Sequence, residues 1–337
     1  MSGKGKNAID MTGGSLWKNI LVFSLPLMMT QMLEVLFNLS DVAIAGKYAD
    51  YIALGAVGST ALLVSLFTGI LIGMGAGVNV RTAHQLGAEK TSGSSETVAR
   101  TVYSGLIVCL IIGIILCLVC NIFARPMLET LKTKDELIES AVLYLKIYAL
   151  GMPAMAVYNF GNGVLSACGE TKKPLVYLSI AGVLNVILNI FFVVVCKKAA
   201  DGVAIASVIA QYLSASMIMC HLLRRKDSCK LRLSNKYFDT SACGGVLMIG
   251  IPTGMQNAIF AVANLFVQTG VNHFDAVMVS GNSAAQNADT LIFNVMAAIY
   301  TACASFISRN HGEGKNDRIL KSYFCLLYTS PSPRDMR

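Results

Sequence analysis

The sequence predicts an all-α protein that crosses a membrane several times. Of its 337 residues, 55% are apolar and only 14% are charged, and the mean hydropathy is +0.61. In soluble domains, roughly a quarter of all residues are charged. The apolar residues also form runs long enough to cross a hydrocarbon core as helices. Together these observations exclude an ordinary soluble domain.

Eight apolar runs, separated by turn and charge clusters, predict eight membrane spans. They cover about residues 16–40, 52–80, 98–123, 138–160, 174–196, 203–223, 243–271 and 277–307. The first run is too long for the apolar region of a signal peptide, and no A-x-A-like cleavage site follows it. We therefore expect it to be retained as the first span.

The first span carries residues that a plain membrane anchor does not need, namely Pro26, Glu34 and Asp41. Carboxylates within a membrane are costly, so they usually face a bundle interior or a wet cavity and mark candidate functional sites. Glu34 and Asp41 are seven positions apart and therefore share one helix face. Pro26 lacks a backbone N–H, which weakens the helix a few turns before the acids. The sequence predicts a helix that bends near a titratable group.

Lysine and arginine are distributed unequally between the two sides of the predicted membrane. One side, which includes the amino terminus, has 18 of them in or next to its loops, whereas the other side has 6. The positive-inside rule therefore places the amino terminus in the cytoplasm. The formal charge of +8 comes from lysines and arginines spread over the loops between spans, as membrane topology requires, so we expect no nucleic-acid partner.

The ten cysteines are scattered through the apolar runs without C-x-x-C pairs or nearby histidines. We expect them to act as small apolar side chains, neither as disulfides nor as metal ligands. The four histidines lie at or near span ends, and the sequence shows no intramembrane nucleophile–base pair. It therefore predicts no catalytic residue, no metal site, no bound cofactor and no enzymatic activity.

Alignment of the chain with itself indicates an internal repeat. The matched segments are residues 24–31 with 250–257 and 85–90 with 310–315. The offset is 226 positions between Pro26 and Pro252, and 225 between Gly87 and Gly312. Because six spans separate the copies, both keep the same orientation, which predicts a parallel repeat with the substrate path between the halves. The alternative is chance similarity between apolar helices.

The repeat and the charge pattern together predict the domain organisation. The predicted parts are a cytoplasmic amino terminus (1–15), a first lobe of six spans (16–223), a basic cytoplasmic linker (224–242), the first two spans of a second lobe (243–321) and a tail (322–337). A ninth span begins at Ser322 but is followed by Y-T-S-P-S-P-R-D-M-R, whose prolines and charges cannot continue it. This ending resembles a translated sequencing adapter. We therefore expect the tail to be non-native, regular packing to end near Cys325, and the chain to be truncated and inactive in transport.

Several motifs, in their order and spacing, resemble the MATE family of multidrug and toxic compound extrusion transporters over residues 11 to about 321. These motifs are M-T-G-G-S-L-W-K (11–18), L-P-L-M-M-T-Q-M and D-V-A-I-A-G-K (within 25–47), Y-L-K-I-Y-A-L-G-M-P (144–153), G-E-T-K-K-P (169–174) and G-V-A-I-A-S-V-I-A-Q (202–211). The resemblance implies twelve helices in two six-helix lobes. It also implies export of amphipathic, often cationic compounds in exchange for Na⁺ or H⁺.

The resemblance further implies a cation site inside the first lobe. Mapped motif by motif, its residues are Asp41, Asn162, Asn185, Asn189 and Ser207. Many members have Asp in place of Asn189 and Thr in place of Ser207, which leaves Asp41 as the only acid of this site and the coupling ion open. Two alternatives without a role in cation binding remain. Asp41 lies near the end of its span and could be interfacial, and the asparagines could serve as hydrogen-bonding glue between helices.

Other polar residues within the spans are candidates for the substrate path. They are Gln31, Glu34, Asn257, Asn264, Gln286 and Asp289, with Pro26 and Pro252 as candidate bending points. Gln286 and Asp289 are three positions apart on the eighth span, although Asp289 could merely cap or hydrate that helix. Expected partners are the lipid bilayer and small amphipathic or cationic substrates, for a monomer in the cell inner membrane.

The alternative function is that of a flippase or exporter of a lipid-linked or other amphipathic metabolite. An anionic pyrophosphate cargo would favour a cavity rich in arginine and lysine. Here the only lysine within a span, apart from Lys18 beside the amino-terminal segment, is Lys146, near a span end, while the polar interior is acidic and amidic. A cationic cargo therefore fits the sequence better.

Overall fold

The computed structural model describes residues 9–271 and 276–329, and these residues form ten α-helices. The helices are α1 (Leu16–Tyr48), α2 (Tyr51–Ser92), α3 (Ser95–Thr130), α4 (Asp135–Ala149), α5 (Met152–Ala167), α6 (Lys172–Ile190), α7 (Ala200–Arg224), α8 (Thr240–Val271), α9 (Ala276–Gly312) and α10 (Asn316–Thr329). A π-helical turn, Phe191–Val195, extends α6, and a 3₁₀ turn, Asn235–Tyr237, lies between α7 and α8.

The eight predicted spans are confirmed. Within the described part of the chain, seven helices are long and apolar enough to cross a membrane, and α4 with α5 makes an eighth, broken span. Several helices extend past the predicted ends. For example, α2 continues to Ser92, whereas we expected the span to end near residue 80. The apolar pattern marks only the part of a helix that lies in hydrocarbon, and helical hydrogen bonding continues beyond it.

The fourth predicted span, 138–160, is not one straight helix. It is divided into α4 and α5, whose axes are bent by 45°. The break lies at Leu150 and Gly151, just before Pro153. Proline has no N–H and its ring clashes with the carbonyl four residues earlier, so the helix ends there and restarts with Pro153 in its first turn.

The helices form one six-span lobe, α1 to α7, and the first two spans of a second lobe, α8 and α9. The pairs α2–α8 and α1–α9 pack against each other, and α2 also packs along α9. Residues at equivalent or nearly equivalent positions of the two repeats face each other between α2 and α9, namely Asn79 with Ser305, 226 positions apart, and His84 with His311, 227 positions apart. This exchange of partners is the arrangement that a two-fold axis between α2 and α9 produces.

The loops rich in lysine and arginine lie on the predicted cytoplasmic side, which we call the basic end. There the segment Ile9–Gly14, which we call the strap, connects both lobes. On one side the Ile9 amide donates to the Gly169 carbonyl over 3.1 Å. On the other, Asn310 Nδ2 donates to the Met11 carbonyl over 3.1 Å and Lys315 Nζ to the Thr12 carbonyl over 3.0 Å.

The expectation that the sequence contains no disulfide is wrong. Cys168, after α5, and Cys229, in the linker after α7, form a disulfide between residues 61 positions apart. The linker folds back onto the first lobe, where Arg225 Nη2 lies 3.1 Å from Glu170 Oε1 and the Leu231 amide donates to the Leu222 carbonyl. Neither cysteine has a partner nearby in sequence, so spacing alone could not indicate the pair.

Regular helix continues past Cys325, where we expected regular packing to end. The side chains after Cys325 lie outside the described residues, so the expectation about their packing stays a prediction. Helix α10 continues to Thr329, Ser322 is fully buried, and Cys325 packs against the apolar cluster between α1 and α9. Residues 330–337 lie outside the described residues. The assignment of 322–337 as a non-native tail stays a prediction.

Candidate functional site

Three helices bring a carboxylate, two amides and a hydroxyl together inside the first lobe. Asp41 lies on the buried side of α1, Asn185 and Asn189 lie one turn apart on α6, and Ser207 lies on α7. Their exposed fractions are only 8%, 5%, 0% and 6%, respectively. These helices are predominantly apolar, so the four side chains form a polar site within an apolar bundle.

The four side chains form one hydrogen-bonded network, which we call the Asp41 network. Asn189 Nδ2 donates to Asp41 Oδ1 over 2.5 Å, and Ser207 Oγ donates to Asp41 Oδ2 over 3.1 Å. Asn185 links the two donors, because its Nδ2 donates to Ser207 Oγ and its Oδ1 accepts from Asn189 Nδ2, both over 3.2 Å. Both carboxylate oxygens of Asp41 are therefore held by protein donors.

One polar atom of the network has no partner. Asn189 Oδ1 is buried and accepts no hydrogen bond from any residue that the structure describes. A buried polar atom left unpaired is costly, so Asn189 Oδ1 is a candidate contact for an ion, a water or a ligand. Carboxylate, amide and hydroxyl oxygens are the ligands that hard cations prefer. The network can thus hold a small cation or a proton.

Two tyrosines that sequence reasoning missed border the Asp41 network. Tyr144 and Tyr148 lie one turn apart on α4, are buried, and stack with ring centroids 6.0 Å apart. Both interact electrostatically with Asp41, and the Tyr148 hydroxyl also interacts with Thr68 and Gln211. The signal was present in Y-L-K-I-Y, but an i,i+4 aromatic pair in a span is more often ordinary core.

Glu34 lies two turns before Asp41 on α1 and is partly buried. Its electrostatic neighbours include Tyr148 and Tyr158, so Tyr148 lies in the field of both acids. The prediction that the two carboxylates share a helix face is consistent with this common neighbour. Glu34, Tyr148 and Tyr158 thus form an acidic and aromatic group of side chains within electrostatic range of one another, near the Asp41 network.

The remaining candidates are not joined to the Asp41 network by hydrogen bonds between described residues. Asn162 is partly buried on α5, and its Oδ1 has no partner there. Asn257 Nδ2 donates to the Gly69 carbonyl over 3.1 Å, which places it at the α2–α8 contact. Gln31 is partly buried, and Asn264 and Asp289 are exposed. The side chain of Gln286 lies outside the described residues.

The two candidate bending points lie inside unbroken helices. Pro26 is within α1 and Pro252 within α8. Pro26 is buried, and its carbonyl accepts a hydrogen bond from Thr30 Oγ1 over 2.8 Å. Neither helix is interrupted at its proline, so bending at these residues stays a prediction.

Comparison with known proteins identifies relatives over most of the chain. The sequence model of the family described as MatE matches residues 26–191. The chain is 27% identical to "Probable multidrug resistance protein YpnP" of Bacillus subtilis, over 93% of this chain and 69% of that protein. It is 23% identical to "Probable multidrug resistance protein NorM" of Thermotoga maritima, over 90% of this chain and 65% of that protein. The chain therefore spans about two thirds of the length of these relatives.

The fold also matches a solved structure, titled "Crystal structure of MATE in the bent conformation". The TM-score is 0.87 at 20% sequence identity, and the match covers 97% of this chain and 72% of the other. At this identity, the likeness shows a shared fold and no more. It confirms the predicted fold class, a six-span lobe followed by the first two spans of a second.

Proposed function

Because this chain belongs to the MATE family of membrane transporters, we propose that it exports small amphipathic, cationic compounds in exchange for Na⁺ or H⁺. The observation that carries the proposal is the Asp41 network, with its single buried carboxylate and the unpaired Asn189 Oδ1. A network that only fastened helices would be expected to use all of its acceptors.

The Asp41 network supports a competition between a cation and a proton at one carboxylate. A bound Na⁺ would take oxygens of Asp41 and the free amide oxygen of Asn189, whereas a proton would neutralise Asp41 directly. Either one removes an uncompensated charge from the lobe interior, where such a charge is expensive. Occupancy of Asp41 can therefore change how α1 packs against α6 and α7, and Pro26 weakens α1 about four turns away.

The membrane potential adds a driving force to this exchange. Inward movement of one positive charge is worth about 2.3 kcal/mol per 100 mV. That energy alone supports roughly tens-fold accumulation of an exchanged monovalent compound, because each 1.4 kcal/mol is about a tenfold change.

The acidic and aromatic side chains near the Asp41 network support a cationic cargo. Glu34 supplies negative charge next to Tyr148 and Tyr158, and aromatic rings attract organic cations through their quadrupoles. Lys146, the lysine that we predicted within the fourth span, is exposed on α4. An anionic, lipid-linked cargo would find no matching cation among these residues, which is why we prefer a drug-like cation.

The positive-inside rule supports an orientation with the basic end in the cytoplasm. Cargo would then enter between the lobes from the basic end and leave on the opposite side. The internal repeat supports a transport path between the two lobes of one chain, so we propose that the protein with a full second lobe is a monomer.

The proposal is tested by cation binding and by efflux. Na⁺, compared with choline, should raise the unfolding temperature of the purified chain, because a ligand that binds only the folded state stabilises it. Asp41→Asn should abolish this rise. Asp50→Asn is the matched control, since Asp50 only caps the start of α2 through the Ala53 amide.

Efflux of ethidium from membrane vesicles tests the transport step in a full-length exporter built on this chain. Asp41→Asn should stop ion-driven efflux while leaving the protein in the membrane. Efflux at the wild-type rate from Asp41→Asn would show that Asp41 is an interfacial residue, and the proposal would be rejected.

A further inference from the structure

Two of the four histidines of the chain meet at the basic end, across the boundary between the lobes. His84 Nε2, on α2, lies 3.1 Å from His311 Nδ1, on α9, and the ring centroids are 5.2 Å apart. They are 227 positions apart, so they occupy nearly equivalent places in the two repeats. The proposed transport mechanism uses neither residue.

The distance between the two nitrogens limits how many protons the pair can hold. A hydrogen bond between two ring nitrogens needs one of them to be an acceptor, and only a neutral imidazole provides one. When both rings are protonated, both facing nitrogens are donors and the two charges repel each other at short range. The contact therefore forms with at most one ring charged.

The surroundings of the pair do not neutralise a second charge. Arg81, one turn before His84 on α2, is itself positive and interacts with His84. On α9, Arg309 points to the Ala167 carbonyl, 3.5 Å away. Helices α5 and α8, which also pack here, carry no acidic or basic residue within their described bounds.

The acids near this part of the basic end are engaged elsewhere. Glu313 pairs with Lys90 over 3.1 Å and with Lys315 over 2.9 Å, and Glu89 accepts a hydrogen bond from Ser228. Asp10, on the strap, accepts hydrogen bonds from the amide and hydroxyl of Thr12. A doubly protonated pair would thus add two charges beside Arg81.

We propose that His84 and His311 form a proton-operated latch, which holds the two lobes together at the basic end while at most one ring is protonated and releases them when both are. Histidine changes charge between about pH 5 and pH 8, so acidification of the compartment at this end drives the release. The latch makes access from the basic end sensitive to the pH on that side. It depends on the two-lobe arrangement and is independent of the cargo and of the coupling ion at Asp41.

The salt bridge between Lys90 and Glu313 provides a direct readout of lobe contact. It crosses the same boundary within two turns of the histidines, and a zero-length carbodiimide reagent converts such a pair into an amide bond. The same Glu313 carboxylate also lies beside Lys315 on its own lobe. The ratio of the Lys90–Glu313 link to the Lys315–Glu313 link, measured by mass spectrometry, cancels the effect of pH on carboxylate activation.

We expect this ratio to fall by roughly fivefold between about pH 8 and about pH 5.5 in the purified wild-type chain, as the second ring becomes charged. His84→Gln and His311→Gln should each abolish the fall, because a single histidine cannot repel a neutral partner. His221→Gln is the matched control and should behave as wild type, since His221 lies at the end of α7 beside Glu170 and Tyr177.

A ratio that stays constant with pH in the wild type would overturn the latch. So would a fall of the same size in both His84→Gln and His311→Gln. Should His84→Gln fail to give a monodisperse protein, His311→Gln carries the test alone, since the His311 ring is exposed. Because the readout needs neither ethidium nor Na⁺, failure of the latch and failure of the proposed transport function are distinguishable.

Discussion

Asn79 and Ser305 are 226 positions apart and hydrogen-bond to each other across the boundary between the lobes. Asn79 Nδ2 lies 2.8 Å from Ser305 Oγ, and Ser305 Oγ lies 3.1 Å from Asn79 Oδ1. Both side chains are almost fully buried. Their separation equals the offset of the sequence repeat, so the two copies of one position meet at the centre of the molecule.

Removal of one partner of this bond should weaken the association of the lobes. Ser305→Ala leaves the Asn79 amide buried and unpaired, which costs about 1–3 kcal/mol. The unfolding temperature in detergent should fall accordingly. Ser40→Ala is the control, because Ser40 is peripheral and bonds only to the Leu36 carbonyl of its own helix. Equal stability of the two variants would contradict the structural role of the pair.

The contact between α2 and α8 should tolerate no side chain at Gly73. A Cβ atom there would overlap the backbone nitrogen and Cα of Gly254. Gly73→Ala should therefore destabilise the protein by about 1–3 kcal/mol, as overpacking does. Gly58→Ala, on the same helix, meets no atom within 4 Å and should be neutral or slightly stabilising. Chemical unfolding of both variants gives the comparison.

An added acid should change the ion dependence of the Asp41 network. Asn189→Asp places a second carboxylate at the position where an amide nitrogen now lies 2.5 Å from Asp41. Two carboxylates at such a short distance share a proton or a cation. Stabilisation by Na⁺ should therefore become strongly pH-dependent, larger at high pH, where protons compete less. A thermal-shift series across pH and Na⁺ concentration measures it, and an unchanged series would exclude direct contact between ion and network.

The salt bridges of Glu313 should stabilise the fold at neutral pH and not in acid. Burial alone would raise the pKa of Glu313, but hydrogen bonds from Lys315, Lys90 and Thr12 outweigh it and hold that pKa below its usual value. A depressed carboxyl pKa contributes stability above the unfolded value of 4.5, and this contribution is lost as the pH falls through the folded value.

Glu313→Gln should accordingly lower the unfolding temperature at pH 7 by about 1–3 °C, because the pairs are partly exposed to solvent. Near pH 3 the variant and the wild type should coincide. Glu96→Gln removes a carboxylate that is 60% exposed and pairs within one helix, and it should have no measurable effect. A difference that persists in acid would point to packing as the cause.

Much of the fold and of the Asp41 network was predictable from the sequence. The apolar runs define the spans because hydrocarbon permits few polar residues. Asn185 and Asn189 share a face by their spacing alone, and a costly buried acid such as Asp41 needs partners of that kind. Family motifs then selected Ser207 from many hydroxyls.

Other features depend on packing that no local pattern encodes. The Cys168–Cys229 disulfide arises only because the linker folds back, and the pairing of His84 with His311 depends on how the lobes meet. Tyr148 resembles any aromatic core residue until the bundle places it between two acids. The break at Gly151 could have been predicted, because glycine and proline lie close together there. We instead predicted one continuous span because the segment is apolar throughout.

The two lobes contact each other through two interfaces that are packed differently. Between α2 and α8, glycines such as Gly73 and Gly254 bring backbone against backbone, whereas between α1 and α9 the rings of Phe23 and Phe306 meet edge to face, 5.6 Å apart and at 86°. Glycines remove some of the side chains that would interlock across α2 and α8, whereas rings packed edge to face must separate before they can move past each other. If the lobes move relative to each other, we therefore expect the α1–α9 contact to resist that movement more than the α2–α8 contact, because the two rings must first lose their edge-to-face packing.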